Sequence, residues 1–150
     1  MKLNPQILNN LLATIEKLAR KINQQTLPKT LSTHHYYSEH RSISICLPRQ
    51  FGNTELALKL FKKHPDSILI TNTYANRCCI QGRLLRSRLP KKLTNRVFSI
   101  NMADIATVLT IGQHDVKFII TNDCSTSNPI AQNRLFSTMH KFQPIYINLG

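Results

Sequence analysis

Acidic side chains are scarce in this sequence, where seven Asp and Glu stand against twenty Lys and Arg. So few carboxylates exclude the clustered sets that hold a pair of catalytic metal ions, and with them a two-metal nuclease centre. Long hydrophobic runs are missing as well. The longest, around Ile68 and Ile119, fall far short of the ~20 apolar residues that cross a bilayer, so no membrane partner is expected. Glu16, Lys17, Arg20 and Lys21 interrupt the N-terminal region, and no apolar core with a small-residue cleavage site precedes them, which argues against a secretory signal. No CxxC spacing occurs among Cys46, Cys78, Cys79 and Cys124. Reduced, mostly buried thiols in an intracellular protein, in the cytoplasm or nucleus of a host cell, are therefore expected.

What is present is enough for one core. The chain has 150 residues, 41% of them hydrophobic, which suits a folded domain and is too short for two of full size. Its formal net charge of +13 works against compactness through self-repulsion, and a polyanionic partner offsets that. Nucleic acid fits best, because contacts to phosphates release counterions and depend little on sequence.

The pattern of apolar residues divides the chain near residue 40. In residues 1–40, Leu3, Ile7, Leu8, Leu11, Leu12, Ile15, Leu18, Ala19 and Ile22 recur at three- and four-residue spacing. They predict an amphipathic helix, followed by a polar connection from Thr30 to His40. In residues 41–150 the pattern alternates between strands and helices. Strands are predicted at Ser42–Leu47, Ser67–Thr71, Val97–Ile100, Val116–Thr121 and Pro144–Leu149. Helices are predicted at Thr54–Lys63, Asn76–Leu89 (ended by Pro90), Met102–Leu109 and Pro129–His140. Alternation of this kind implies an α/β fold, a mostly parallel sheet flanked by helices.

Chemistry concentrates after the first strand, in Leu47-Pro48-Arg49-Gln50-Phe51-Gly52-Asn53-Thr54. A phosphate-binding loop joins a strand to a helix whose free N-terminal N–H groups face an anion, with the signature G-x-x-x-x-G-K-[ST]. Here Leu47 replaces the first glycine and Asn53 the lysine, while Gly52 and Thr54 match. The segment resembles the Walker A region of viral large terminase ATPases, the motors that package DNA into capsids. Those tolerate loss of the first glycine and often carry an arginine in the loop, as in Pro48-Arg49. The likeness continues through Glu55-Leu56-Ala57-Leu58-Lys59-Leu60 to Thr71-Asn72-Thr73-Tyr74-Ala75, similar to a T-x-x-Y-A stretch, and covers Ile43 to Arg77. It implies a P-loop NTPase-like fold, with ATP and Mg²⁺ as cofactors. Arg49, Gln50, Gly52, Asn53 and Thr54 become the nucleotide-binding positions, and Thr54 and Asp123 the Mg²⁺ ligands. It also implies an accessory or competitor in viral or mobile-element DNA handling, as a homo-oligomer or within a packaging or replication complex.

The residues that perform chemistry are degraded. Without the lysine, a positive charge near the transferring phosphate is lost, and such a loss costs ~10²–10³ in rate. Arg49 is the nearest substitute. A carboxylate at the end of a neighbouring strand normally holds Mg²⁺. The candidate strand end is Thr121-Asn122-Asp123, and neither register gives the usual Asp-Glu pair. Asp123 is the one catalytic candidate, and a turn through Ser125 and Ser127 competes for it.

Arg77, Arg83, Arg86, Arg88, Lys91, Lys92 and Arg96 form a basic segment. On a helix, Ile80, Leu84 and Leu85 would face the sheet, while Arg83, Arg86 and Lys92 project outward towards phosphates. Lys59, Lys62 and Lys63 extend that patch. His34, His35 and His40 with Cys46 match no standard zinc spacing, no Ser or Cys lies in a nucleophile elbow, and Tyr36, Tyr37 and Tyr74 serve stacking or packing. The leading expectation is a degenerate P-loop domain that binds nucleic acid and nucleotide with weak or no hydrolysis. Two alternatives stay open: a basic nucleic-acid-binding protein without a nucleotide site, and an active ATPase using Arg49 and Asp123 in unusual roles.

Overall fold

A computed structural model describes residues 4–25, 40–47, 52–89, 94–100, 116–122, 135 and 143–150. Most of the connection before residue 40, and the helices expected at Met102–Leu109 and Pro129–His140, lie outside the described residues. So do Arg49, Gln50, Lys91, Lys92 and Asp123.

Five parallel strands form one sheet: β1 (Ser42–Ile45), β2 (Ser67–Thr71), β3 (Val97–Ser99), β4 (Phe118–Asn122) and β5 (Ile145–Leu149), in the order β1-β5-β4-β2-β3. The chain starts at one edge, steps over two positions to β2, reaches the far edge at β3, and returns through β4 to β5. Parallel neighbours need crossover connections, and helices supply them between β1 and β2 and between β2 and β3. α2 (Asn53–Lys63) packs on β2 and β4, and α3 (Tyr74–Arg86) on β2 and β3. The class is the α/β one that the alternating pattern predicts.

Strand residues two apart share a face of the sheet, and the register fixes which they are. One row runs across all five strands: Ile43, Ile147, Ile120, Leu69 and Val97. Each of these is buried in one cluster with Leu56, Ala57, Leu60 and Phe61 of α2 and Ile80 and Leu84 of α3. α1 (Pro5–Gln24) joins the same cluster through Leu8, Leu12, Ile15 and Ala19, a stripe at three- and four-residue spacing. Asn4 caps it by accepting from the Gln6 N–H, and Pro5 takes the first helical position, where no N–H is needed. The other face of the sheet buries Ile68, Ile70, Phe98, Ile119 and Tyr146. Burial on both faces explains why the central strands read as unbroken apolar runs.

Arg41 fastens the start of the sheet. It is 7% exposed and donates to three acceptors: to Asn23 Oδ1 at 3.0 Å, to the Gln143 carbonyl at 2.6 Å and to the Pro144 carbonyl at 3.3 Å. The C-terminal turn of α1, the first residues of β1 and the entry to β5 thus meet on one planar guanidinium.

Three sequence expectations need correction. Cys46, Cys78 and Cys79 are exposed, not buried; Cys46 falls just past the end of β1, and the other two lie on the outer side of α3. Leu85 is 51% exposed, because the Ile80–Leu84 stripe faces the sheet and the next residue lies ~100° round the helix. α3 ends at Arg86, before Pro90. It starts at Tyr74 behind Thr73, whose hydroxyl accepts from the Asn76 N–H at 3.2 Å.

Candidate functional site

The C-terminal rim of the sheet is where the chemistry of the sequence converges. Two residues beyond the apolar row, on the same face, the register aligns Ile45, Leu149, Asn122, Thr71 and Ser99. The core is therefore replaced at the rim by buried polar groups on β4, β2 and β3. Ligands of open α/β sheets bind beyond the carboxyl ends of the strands, where the direction of chain progress reverses. Here β1 to β3 advance across the sheet, and β3 to β5 return.

α2 begins at this rim. Gly52 precedes it with φ 99°, a left-handed conformation that a residue with a Cβ adopts only under strain. Lacking a side chain, Gly52 gives α2 no cap, whereas Asn4 and Thr73 cap α1 and α3. The first-turn N–H groups of a helix have no partner inside it, and with the helix dipole they favour an anion. Asn53 donates through Nδ2 to the Leu47 carbonyl at 3.4 Å, joining the two ends of the loop. Its Oδ1 is buried with no hydrogen-bond donor among the described residues.

Thr54 meets β4. Its hydroxyl oxygen accepts from Asn122 Nδ2 at 3.2 Å, and Asn122 is 4% exposed. One residue earlier on β4, and on the opposite face, Thr121 donates to Asn148 Oδ1 of β5 at 2.9 Å. Of the strand-end candidates, Asn122 is the last residue of β4 and its side chain reaches Thr54, while Asp123 lies outside the described residues. The sequence names this position without choosing it, because the register that selects it comes from pairing with β2 and β5.

The basic residues separate by what they touch. Arg77, expected at a nucleic-acid surface, donates to the Val97 carbonyl at 2.9 Å and lies 5.9 Å from the centre of the Tyr74 ring. Arg96 donates to the Pro65 carbonyl, Lys63 pairs with Glu16 at 2.7 Å, and Lys117 with Asp66 at 3.6 Å. Arg83 pairs with Glu55 across the α2–α3 contact. Arg86 and Arg88 are exposed at the end of α3, as is Lys62 on α2. The Glu16 carboxylate accepts from Lys63 and also lies 3.4 Å from His64 Nε2. Chiefly the Lys63 hydrogen bond holds it below the usual carboxylate range, against the opposing effect of burial.

Among the described residues no group of three or more His, Cys, Asp or Glu is placed to hold a metal ion, and no helix is long and apolar enough to cross a membrane. Comparison with protein-family models, with curated proteins and with solved structures finds no match to this chain.

Proposed function

We propose that this chain is a degenerate phosphate-binding-loop domain that holds nucleic acid, and nucleotide weakly, without efficient hydrolysis. The observation that carries the reading is the Asn122–Thr54 hydrogen bond. It brings the end of β4, two places from β1 in the sheet, against the first turn of the helix that follows Gly52. In a phosphate-binding loop the same two positions carry a metal-holding carboxylate and a metal-holding hydroxyl.

The chemical character of the corner supports binding without cleavage. Asn53, Thr54 and Asn122 offer two amides and a hydroxyl, where phosphoryl transfer uses an ammonium, a hydroxyl and a carboxylate. Thr54 already accepts from an amide nitrogen, which is no ligand for a cation. Among the described residues this donor set holds no carboxylate for Mg²⁺, and Asp123, the expected one, lies outside them. The N–H groups of α2 and its dipole remain to attract phosphate oxygens. The likeness of Ile43–Arg77 to viral large terminase ATPases suggests an accessory or competitor in DNA handling.

Equilibrium binding to ATP and to oligonucleotides, with and without Mg²⁺, tests this. Weak nucleotide binding that ignores Mg²⁺ and disappears in Gly52→Val is expected, together with salt-sensitive oligonucleotide binding. Oligonucleotide binding with no nucleotide binding at millimolar concentration would leave a purely basic nucleic-acid-binding protein.

A further inference from the structure

A groove of about 340 Å³ separates α2 from α3, bounded by Glu55, Lys62, Arg83, Arg86 and Ser87. Glu55 contributes to it from the first turn of α2. Its volume falls in the range of small-ligand sites, about 300–1,000 Å³. Three cations and one acid surround it.

Several other cations of the described residues are engaged elsewhere. Arg41, Arg77 and Arg96 are spent on backbone carbonyls, and Lys63 and Lys117 on carboxylates. Lys62 and Arg86 have no acid partner among the described residues. Arg83 does have one, Glu55, but the two side chains are 40% and 44% exposed. An ion pair that open to solvent holds weakly and yields to a better anion. A phosphodiester backbone is such an anion, because each neutralised phosphate also releases condensed counterions.

We infer that the α2–α3 groove seats the phosphodiester backbone of a nucleic acid, and that Glu55 is an internal competitor which holds Arg83 until phosphates displace it. Lys62 and Arg86 make the first contacts. Arg83 then exchanges the Glu55 carboxylate for phosphate oxygens, which its planar fork fits. An isolated small anion gains one contact and leaves the ion pair closed, whereas a chain of phosphates gains several. The groove therefore favours polymers over single phosphates. This rests on the nucleic-acid reading above.

The test is oligonucleotide binding by the full chain over a range of salt, using a single strand and the matching duplex as separate probes. Glu55→Gln removes the competitor, so tighter binding is expected, with the log–log salt slope within about 0.5 of its original value because Arg83 meets phosphate in both chains. Lys62→Ala with Arg86→Ala should make the slope shallower by about 2. Lys17→Ala with Lys21→Ala, an equal loss of charge from exposed positions of α1, should leave the slope within about 0.5 of its original value. The probe with the larger response identifies the form of backbone the groove takes. Equal weakening by the two double variants overturns the groove, as does unchanged or weaker binding by Glu55→Gln in a chain with native circular dichroism. If the original chain binds neither probe, the nucleic-acid reading itself falls.

Discussion

The side-chain amide of Asn122 donates to the hydroxyl of Thr54 at 3.2 Å, linking β4 to the first turn of α2 across 68 positions of sequence. The bond both shapes the corner and fastens the fold. Thr54→Val keeps the side-chain volume and removes the acceptor from a buried amide, which should cost about 1–3 kcal/mol. Urea denaturation checks this. A change within about 0.3 kcal/mol would mean that the two side chains do not depend on each other.

Arg41 should be the most sensitive polar position outside that corner. Arg41→Ala removes the donors to Asn23, Gln143 and Pro144 together, and a loss of more than about 2 kcal/mol is expected. Arg41→Lys should recover little of it, since a compact ammonium cannot span three acceptors held by a planar fork. Denaturation midpoints of the two variants provide the comparison.

Glu16 ties α1 to α2 through Lys63, and to His64 just beyond α2. Its folded pKa is lowered below the ordinary 4.5, so folding favours the ionised form. The stabilisation is complete above the unfolded value and fades as pH falls through the lower folded value. Glu16→Gln should therefore destabilise the chain more at pH 7 than at an acidic pH below the ordinary 4.5. Paired denaturation curves at the two pH values read it directly, and an equal effect at both would remove the latch.

Gly82 lies inside α3, and an added Cβ there meets nothing within 4 Å. Gly82→Ala should raise stability by about 0.5–1 kcal/mol, through the backbone entropy that glycine loses in a helix. A lower melting temperature in the variant would mean that the space is not open.

The fold was largely legible because both faces of the sheet are covered. Ile68–Ile70 and Ile119–Ile120 read as buried strands without any tertiary knowledge, and the spacing of Leu56, Leu60 and Phe61 separated α2 from them. Gly52 and Thr54 marked the turn. The pairing of Asn122 with Thr54 was not legible, because it depends on how far β4 runs before it ends, and β4 ends one residue later than its composition suggests. The division of the arginines was hidden for a similar reason. Arg77 and Arg83 look alike in sequence, yet one meets the Val97 carbonyl and the other Glu55. Leu85, Cys78 and Cys79 were misplaced because an apolar residue type says nothing about which side of a helix it occupies.

The proposed function requires that the corner of Gly52, Asn53, Thr54 and Asn122 has the geometry of a phosphate-binding site with amides in place of charges. Nucleotide binding by Asn53→Lys, Asn122→Asp and the double variant, titrated with and without Mg²⁺, tests it most directly. Restoring an ammonium and a carboxylate to a preserved geometry should raise ATP affinity in the double variant by at least ~10-fold, since a charged hydrogen bond contributes about 1.5–3 kcal/mol. That gain should require Mg²⁺, while weak binding by the original chain should not. A folded double variant that gains no affinity would contradict the claim.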